Sequence, residues 1–123
     1  MSIPVELDRL RDETARYGET AYLLTSGDDG RPHAVAAPVR WEEDRLVASA
    51  GKRTRRNVAG RPLVSFLWPP TDPDGYTLIV DADAVVAGDT VSARPTRAVL
   101  HRPGAAASQR PSCTSDCVPI LGS

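Results

Sequence analysis

The stretch Tyr22-Leu23-Leu24-Thr25-Ser26-Gly27-Asp28-Asp29-Gly30-Arg31-Pro32-His33 decides the fold. A short apolar run reaches a turn built from Gly27-Asp28-Asp29-Gly30, and a second extended run continues from Arg31 to Trp41. Asp-Gly between two such runs marks a β-hairpin, because glycine accepts the positive φ that these turns require. Along the second run His33, Val35, Ala37 and Val39 point one way, while Ala34, Ala36 and Pro38 point the other. That second face is small enough for a flat group to approach the backbone.

Working outward, Glu42-Glu43-Asp44 makes another turn and Leu46 to Ala50 a third strand. Pro62 to Trp68 reads as a fourth strand, followed by a rigid polar loop from Pro69 to Gly75. Tyr76 to Val86 and Val91 to Arg102 read as long strands joined by Gly88-Asp89. Upstream, residues 4–17 read as a helix with Ser2 as its cap, Pro4 in its first turn and Gly18 as its stop. Ile3, Leu7, Leu10 and Thr14 fall on its apolar stripe. Six hairpin-linked strands with one helix before them and one inserted predict a mainly β (α+β) fold, a small antiparallel barrel. The interior of such a barrel is filled by side chains, so a ligand must sit outside it, on a strand face or an oligomer seam.

The chain has 123 residues, the length of one domain, with 41% hydrophobic residues to form its core. A formal net charge of −1 makes the whole chain a poor electrostatic match for nucleic acid, and aromatic residues amount to only 5%. No long apolar run occurs, and charge enters by Glu6, so neither a signal peptide nor a membrane span is expected. The expectation is a cytoplasmic protein. From Pro103 onward Ala, Ser, Gly and Pro dominate, which reads as a flexible tail over 103–123 after a domain of residues 1–102. Cys113 and Cys117 fall in this tail; two thiols in a CxxxC spacing make neither a disulfide framework nor a four-ligand zinc site. The default for them is an inert reduced pair, and no metal site is expected.

The basic character is concentrated in Ala50-Gly51-Lys52-Arg53-Thr54-Arg55-Arg56-Asn57, where four cations fall within five residues between two strands. A short helix from Gly51 to Ala59, closed by Gly60, would place Lys52, Arg55 and Arg56 on one face, with Val58 and Ala59 toward the core. Local charge at a strand-to-strand crossing points to an anion site rather than a general basic surface. A phosphate is the anion it fits best, since Arg meets it with a planar fork of donors. Arg56 and Asn57 are expected to tolerate replacement by Ala without loss of fold.

The ordered set Ala21-Tyr22-Leu23-Leu24-Thr25, Asp29-Gly30-Arg31-Pro32-His33, Leu46-Val47-Ala48-Ser49, Thr54-Arg55-Arg56-Asn57-Val58 and Pro62-Leu63-Val64-Ser65-Phe66-Leu67 resembles the pyridoxamine 5'-phosphate oxidase-like superfamily of FMN-binding split β-barrels. The likeness covers roughly residues 18–102. It implies a homodimer with a flavin, FMN, or the deazaflavin coenzyme F(420), at the dimer seam. It further implies that the phosphate is gripped by Ser49, Lys52, Arg53, Thr54, Arg56 and Asn57, with the ring along Val35, Ala36, Ala37 and Pro38. Relatives often carry a Lys three residues before the Asn; here Thr54 stands there, with Lys52 and Arg53 near enough to substitute. The implied activity is hydride transfer to or from a small cytoplasmic substrate. The alternative is a non-catalytic module holding a flavin, haem or tetrapyrrole on the same barrel. His33, His101, Trp41, Trp68 and Tyr76 read as structural before they read as functional, and no catalytic acid is assigned.

Overall fold

The computed structural model describes residues 1–103. The Cys113/Cys117 pair and the rest of the expected tail lie outside the described residues. The hairpin forms as its residues dictate. Strand β2 (Thr20–Ser26) pairs antiparallel with β3 (Pro32–Glu42), in a register running from Thr20 opposite Pro38 to Ser26 opposite Pro32. At the turn the Gly27 N–H donates to the Arg31 carbonyl, and Gly30 adopts φ 81°, a value that only glycine takes without strain.

The remaining elements are β4 (Arg45–Ser49), α2 (Lys52–Gly60), β5 (Leu63–Trp68), β6 (Thr77–Ala87) and β7 (Thr90–His101). Neighbours run β7-β4-β3-β2-β5-β6, and a β6–β7 pairing closes the sheet on itself. The result is the expected antiparallel six-stranded barrel, with one additional strand. Residue alternation sends Leu23, Val39, Leu46, Phe66, Trp68, Leu78, Val80 and Val91 inward to a single core. Trp68 is the largest side chain there; its Nε1–H donates to the Gly18 carbonyl at 3.1 Å and its ring stacks against Phe66 at 6.2 Å. It is a core residue, as its structural reading held.

The N-terminus departs from expectation. Residues 4–17 do not form one helix. Instead β1 (Ser2–Pro4) pairs with β7, Ser2 opposite His101 and Pro4 opposite Val99. A single 3-10 turn (Leu7–Arg9) then leads into a short helix, α1 (Leu10–Ala15). Two causes act together. The residue before a proline is pushed toward extended backbone, which disfavours helix at Ile3. In addition, β4 pairs with β7 only from Thr90 to Ala93, leaving an open ladder farther along β7 that β1 fills. Leu10 and Thr14 are buried as the stripe predicted, whereas Ile3 and Leu7 are exposed. Gly18 ends the segment at φ 106°.

Trp41 lies against α1, where its Nε1–H donates to Thr14 Oγ1 at 2.9 Å and the Arg11 guanidinium stacks over its ring at 5.3 Å. The tight β3–β4 turn places Glu43 at φ 60°, and the Arg11 guanidinium donates to the Glu43 carbonyl. A non-glycine residue in this region costs about 1–3 kcal/mol, part of which glycine returns to the unfolded chain as entropy. Glu43→Gly is therefore expected to stabilise the fold by about 0.5–1 kcal/mol, read as a higher urea midpoint. A lowered midpoint would show that the Glu43 side chain contributes more than its backbone costs.

Candidate functional site

The site begins with an edge that no strand among the described residues covers. β4 pairs with β3 only along Val39–Glu42, whereas β2 runs beside β3 from Pro32 to Pro38. The Val39 N–H donates to the Glu19 carbonyl at 2.7 Å, on the β2 side. Backbone direction alternates along an antiparallel strand, so the N–H and C=O groups of Ala34 and Ala36 point to the opposite, uncovered edge. Pro38 offers only its carbonyl there. The side chains of Ala34, Ala36 and Pro38 are exposed on the outer face, while Val35 is half-buried and Ala37 buried toward the core. Of the four residues expected to line a ring, Ala36 and Pro38 thus present their side chains and Val35 and Ala37 do not. Ala34 joins the strip. The strand alternation already grouped it with Ala36, but which edge stays open is set by where β4 stops.

The strip runs into the cation segment. Ser49, exposed at the end of β4, falls one step past the Val39–Ala48 pair, abreast of Pro38. Helix α2 then starts at Gly51, which has no side-chain cap and open space where a Cβ would stand. Its first-turn N–H groups therefore meet no acidic or capping side chain, the arrangement that favours an anion at a helix N-terminus. Lys52, Arg53 and Arg56 are exposed and form no ion pair among the described residues.

The fourth cation is used differently. Arg55 is half-buried and aims its guanidinium at the carbonyls of Gly51 and Gly88, 3.4 and 3.5 Å away, tying α2 to the β6–β7 turn. At the other end of the helix Arg61 donates to the Asp28 carbonyl of the β2–β3 hairpin at 3.1 Å. The inward face of α2 is Thr54, Asn57 and Val58, an i, i+3, i+4 set; Ala59, expected inside, is exposed. Thr54 is 2% exposed and Asn57 7% exposed, and Asn57 Nδ2 donates to the buried Thr25 Oγ1 at 3.1 Å. These two residues fasten the helix to the barrel. Asn57 is consequently not a surface position that tolerates Ala, because its removal leaves Thr25 buried without that partner.

One groove among the described residues is lined by Leu7, Asp8, Arg11, Trp41, Glu43 and Arg94. Tyr17, away from the strip, donates its hydroxyl to the Tyr76 carbonyl at 2.9 Å; burial first, then the nearby Glu13 carboxylate, raises its pKa above 10.0. Among the described residues no group of three or more His, Cys, Asp or Glu side chains is placed to hold a metal ion, and no helix is long and apolar enough to cross a membrane.

Barrels of the same fold are found in solved proteins. A candidate pyridoxamine 5'-phosphate oxidase of Listeria innocua superposes with a TM-score of 0.63 at 16% identity, covering 77% of this chain and 98% of that one. An FAD-binding protein of Mycobacterium smegmatis gives 0.58 at 15% identity, over 83% of this chain and 100% of that one. An F(420) reductase gives 0.52 at 20% identity, over 64% of this chain and 87% of that one. The chain has the split-barrel fold that these proteins share. No family model matches the chain. Two uncharacterized proteins, of Mycobacterium bovis and Mycobacterium tuberculosis, are each 44% identical to it over 133 aligned positions, spanning 93% of either chain. The chain belongs to one family with these mycobacterial proteins.

Proposed function

We propose that the chain binds a flavin-type cofactor, FMN or coenzyme F(420), on the outer face of β3, and uses it as an oxidoreductase acting on a small cytoplasmic molecule. The observation that carries this reading is the continuity of the open β3 edge at Ala34 and Ala36 with Ser49 and the unpaired cations of α2. The donor set fits such a cofactor. Lys52, Arg53 and Arg56 would meet the phosphate, helped by the Ser49 hydroxyl and the N–H groups at the start of α2. Ala34 and Ala36 would direct backbone N–H groups toward the ring, and with Pro38 they leave it room to approach. Thr54, Asn57 and Arg55 hold the helix in place. The bound group supplies the hydride chemistry, while the protein orients it.

A second copy of the chain would complete the site. Tyr22 is 45% exposed and Leu63 70% exposed on the outer face of the neighbouring strands, and Leu67, directly opposite Tyr22, is half-buried. These apolar groups favour a homodimer that covers both them and the ring.

The test is the visible absorption of the purified protein, followed by fluorescence titration with FMN and with F(420). Micromolar binding of either one supports the reading. Absence of binding of both at high micromolar concentration overturns it. Rapid reoxidation of the bound, reduced cofactor by an added acceptor separates the enzyme from a carrier without turnover.

A further inference from the structure

Inside the barrel mouth, beneath α2, three polar side chains converge from three elements. Thr25 of β2 and His33 of β3 are directly paired across the hairpin, and both fall on the inward side of their strands. Directly opposed residues bring their Cβ atoms to about 4.5–5.5 Å, within reach for a hydroxyl and an imidazole. Asn57 of α2 comes down from above and donates through Nδ2 to Thr25 Oγ1 at 3.1 Å. His33 Nδ1 is the only buried side-chain nitrogen or oxygen among the described residues that has no hydrogen-bond partner.

A buried acceptor or donor without a partner is costly enough that native proteins rarely keep one. The identity of its missing partner follows from proton counting. An amide nitrogen only donates, so Thr25 Oγ1 acts as an acceptor toward Asn57. The Thr25 hydroxyl proton is then left to give, and His33, paired with it across the hairpin, carries the unpartnered Nδ1. We infer that Thr25 donates to His33 Nδ1 through one bridging water, completing a relay from Asn57 Nδ2–H to Thr25 Oγ–H to water to His33 Nδ1. The relay selects the His33 tautomer with its proton on Nε2, and makes Thr25 a positioning residue.

The consequence reaches the cofactor site and rests on the function proposed above. Thr25 is the one point at which the cation-bearing helix is hydrogen-bonded to the buried side of the hairpin, and β3 carries the open edge on its other flank. A continuous relay would fix α2 and β3 relative to one another, so that phosphate and ring are met at a set separation. Small displacements of such groups lower affinity even where each contact survives.

The tautomer of His33 is read by long-range proton–nitrogen NMR of the imidazole, in the protein without added cofactor. Thr25→Val keeps the shape and removes the hydroxyl; Thr25→Ser keeps the hydroxyl. The expected result is an Nε2–H imidazole with an acceptor-type Nδ1 in the wild type and in Thr25→Ser, and loss of that signature in Thr25→Val. An Nδ1–H tautomer in the wild type, or a signature unchanged in Thr25→Val, overturns the relay. In parallel, Thr25→Val is expected to weaken FMN or F(420) binding by about tenfold, the effect of one lost hydrogen bond to a positioned element, with Thr25→Ser close to wild type. Equal affinities for the two variants would detach the relay from the site. If the wild type binds neither cofactor, the proposed function fails while the NMR comparison still judges the relay.

Discussion

Replacing Lys52 and Arg56 together by Ala is expected to lower the affinity for FMN or F(420) by about two orders of magnitude, with no loss of fold. Each charge-assisted hydrogen bond to a phosphate contributes roughly 1.5–3 kcal/mol, and exposure to solvent moves these two toward the lower end. Two contacts at about tenfold each give the expected factor. Neither side chain makes a hydrogen bond or an ion pair among the described residues, so their truncation removes nothing that the barrel uses. The variant should unfold within about 0.5 kcal/mol of the wild type. The same pair of measurements made on Asn57→Ala should read differently, since that side chain is bonded to Thr25 in the core and its loss lowers stability. An affinity for FMN and F(420) that is unchanged in the Lys52/Arg56 double variant would move the phosphate away from α2.

The largest effect on the fold itself is expected from Trp68→Ala. Trp68 is 2% exposed, stacks on Phe66, and donates its indole N–H to Gly18, the residue that ends the N-terminal segment. Truncation to Ala in a packed core costs about 3–5 kcal/mol, and the Gly18 carbonyl loses its donor as well. Domains of this kind are stable by about 5–15 kcal/mol, so the variant should be partly unfolded or unfold at far lower urea. Trp68→Phe, which keeps most of the ring and loses the hydrogen bond, is expected to cost about 1–2 kcal/mol. A Trp68→Ala protein with an unchanged urea midpoint would show that the barrel end repacks without it.

Much of the architecture was legible in the residues because its signals are local. Gly27-Asp28-Asp29-Gly30 between two extended runs specifies a hairpin through the backbone freedom of glycine. Period-two alternation along residues 33–39 sorts side chains between core and surface before any neighbour is known. Helix α2 was legible too, since Lys52, Arg55 and Arg56 fall at i, i+3, i+4 spacing ahead of a closing Gly60. The N-terminal segment was not. Ser2-Ile3-Pro4 has cap and first-turn chemistry, and what overrides it is the unfilled edge of β7, almost a hundred residues away in the chain.

The candidate site divides in the same way. Composition and spacing alone determined that cations cluster between two strands, and that a small-residue face runs along the second strand of the hairpin. Only the tertiary structure decided which of these residues are free to bind. It turned Thr54 and Asn57 into the barrel, assigned Arg55 to the carbonyls of Gly51 and Gly88, and left Lys52, Arg53 and Arg56 in solvent. It also ended β4 at Ser49, so that Ala34 and Ala36 keep an open edge. Local sequence sets charge, turn and alternation through each residue's own backbone and side chain. Which hydrogen-bonding groups remain unpaired depends on where other strands stop, and that is settled only when the barrel closes.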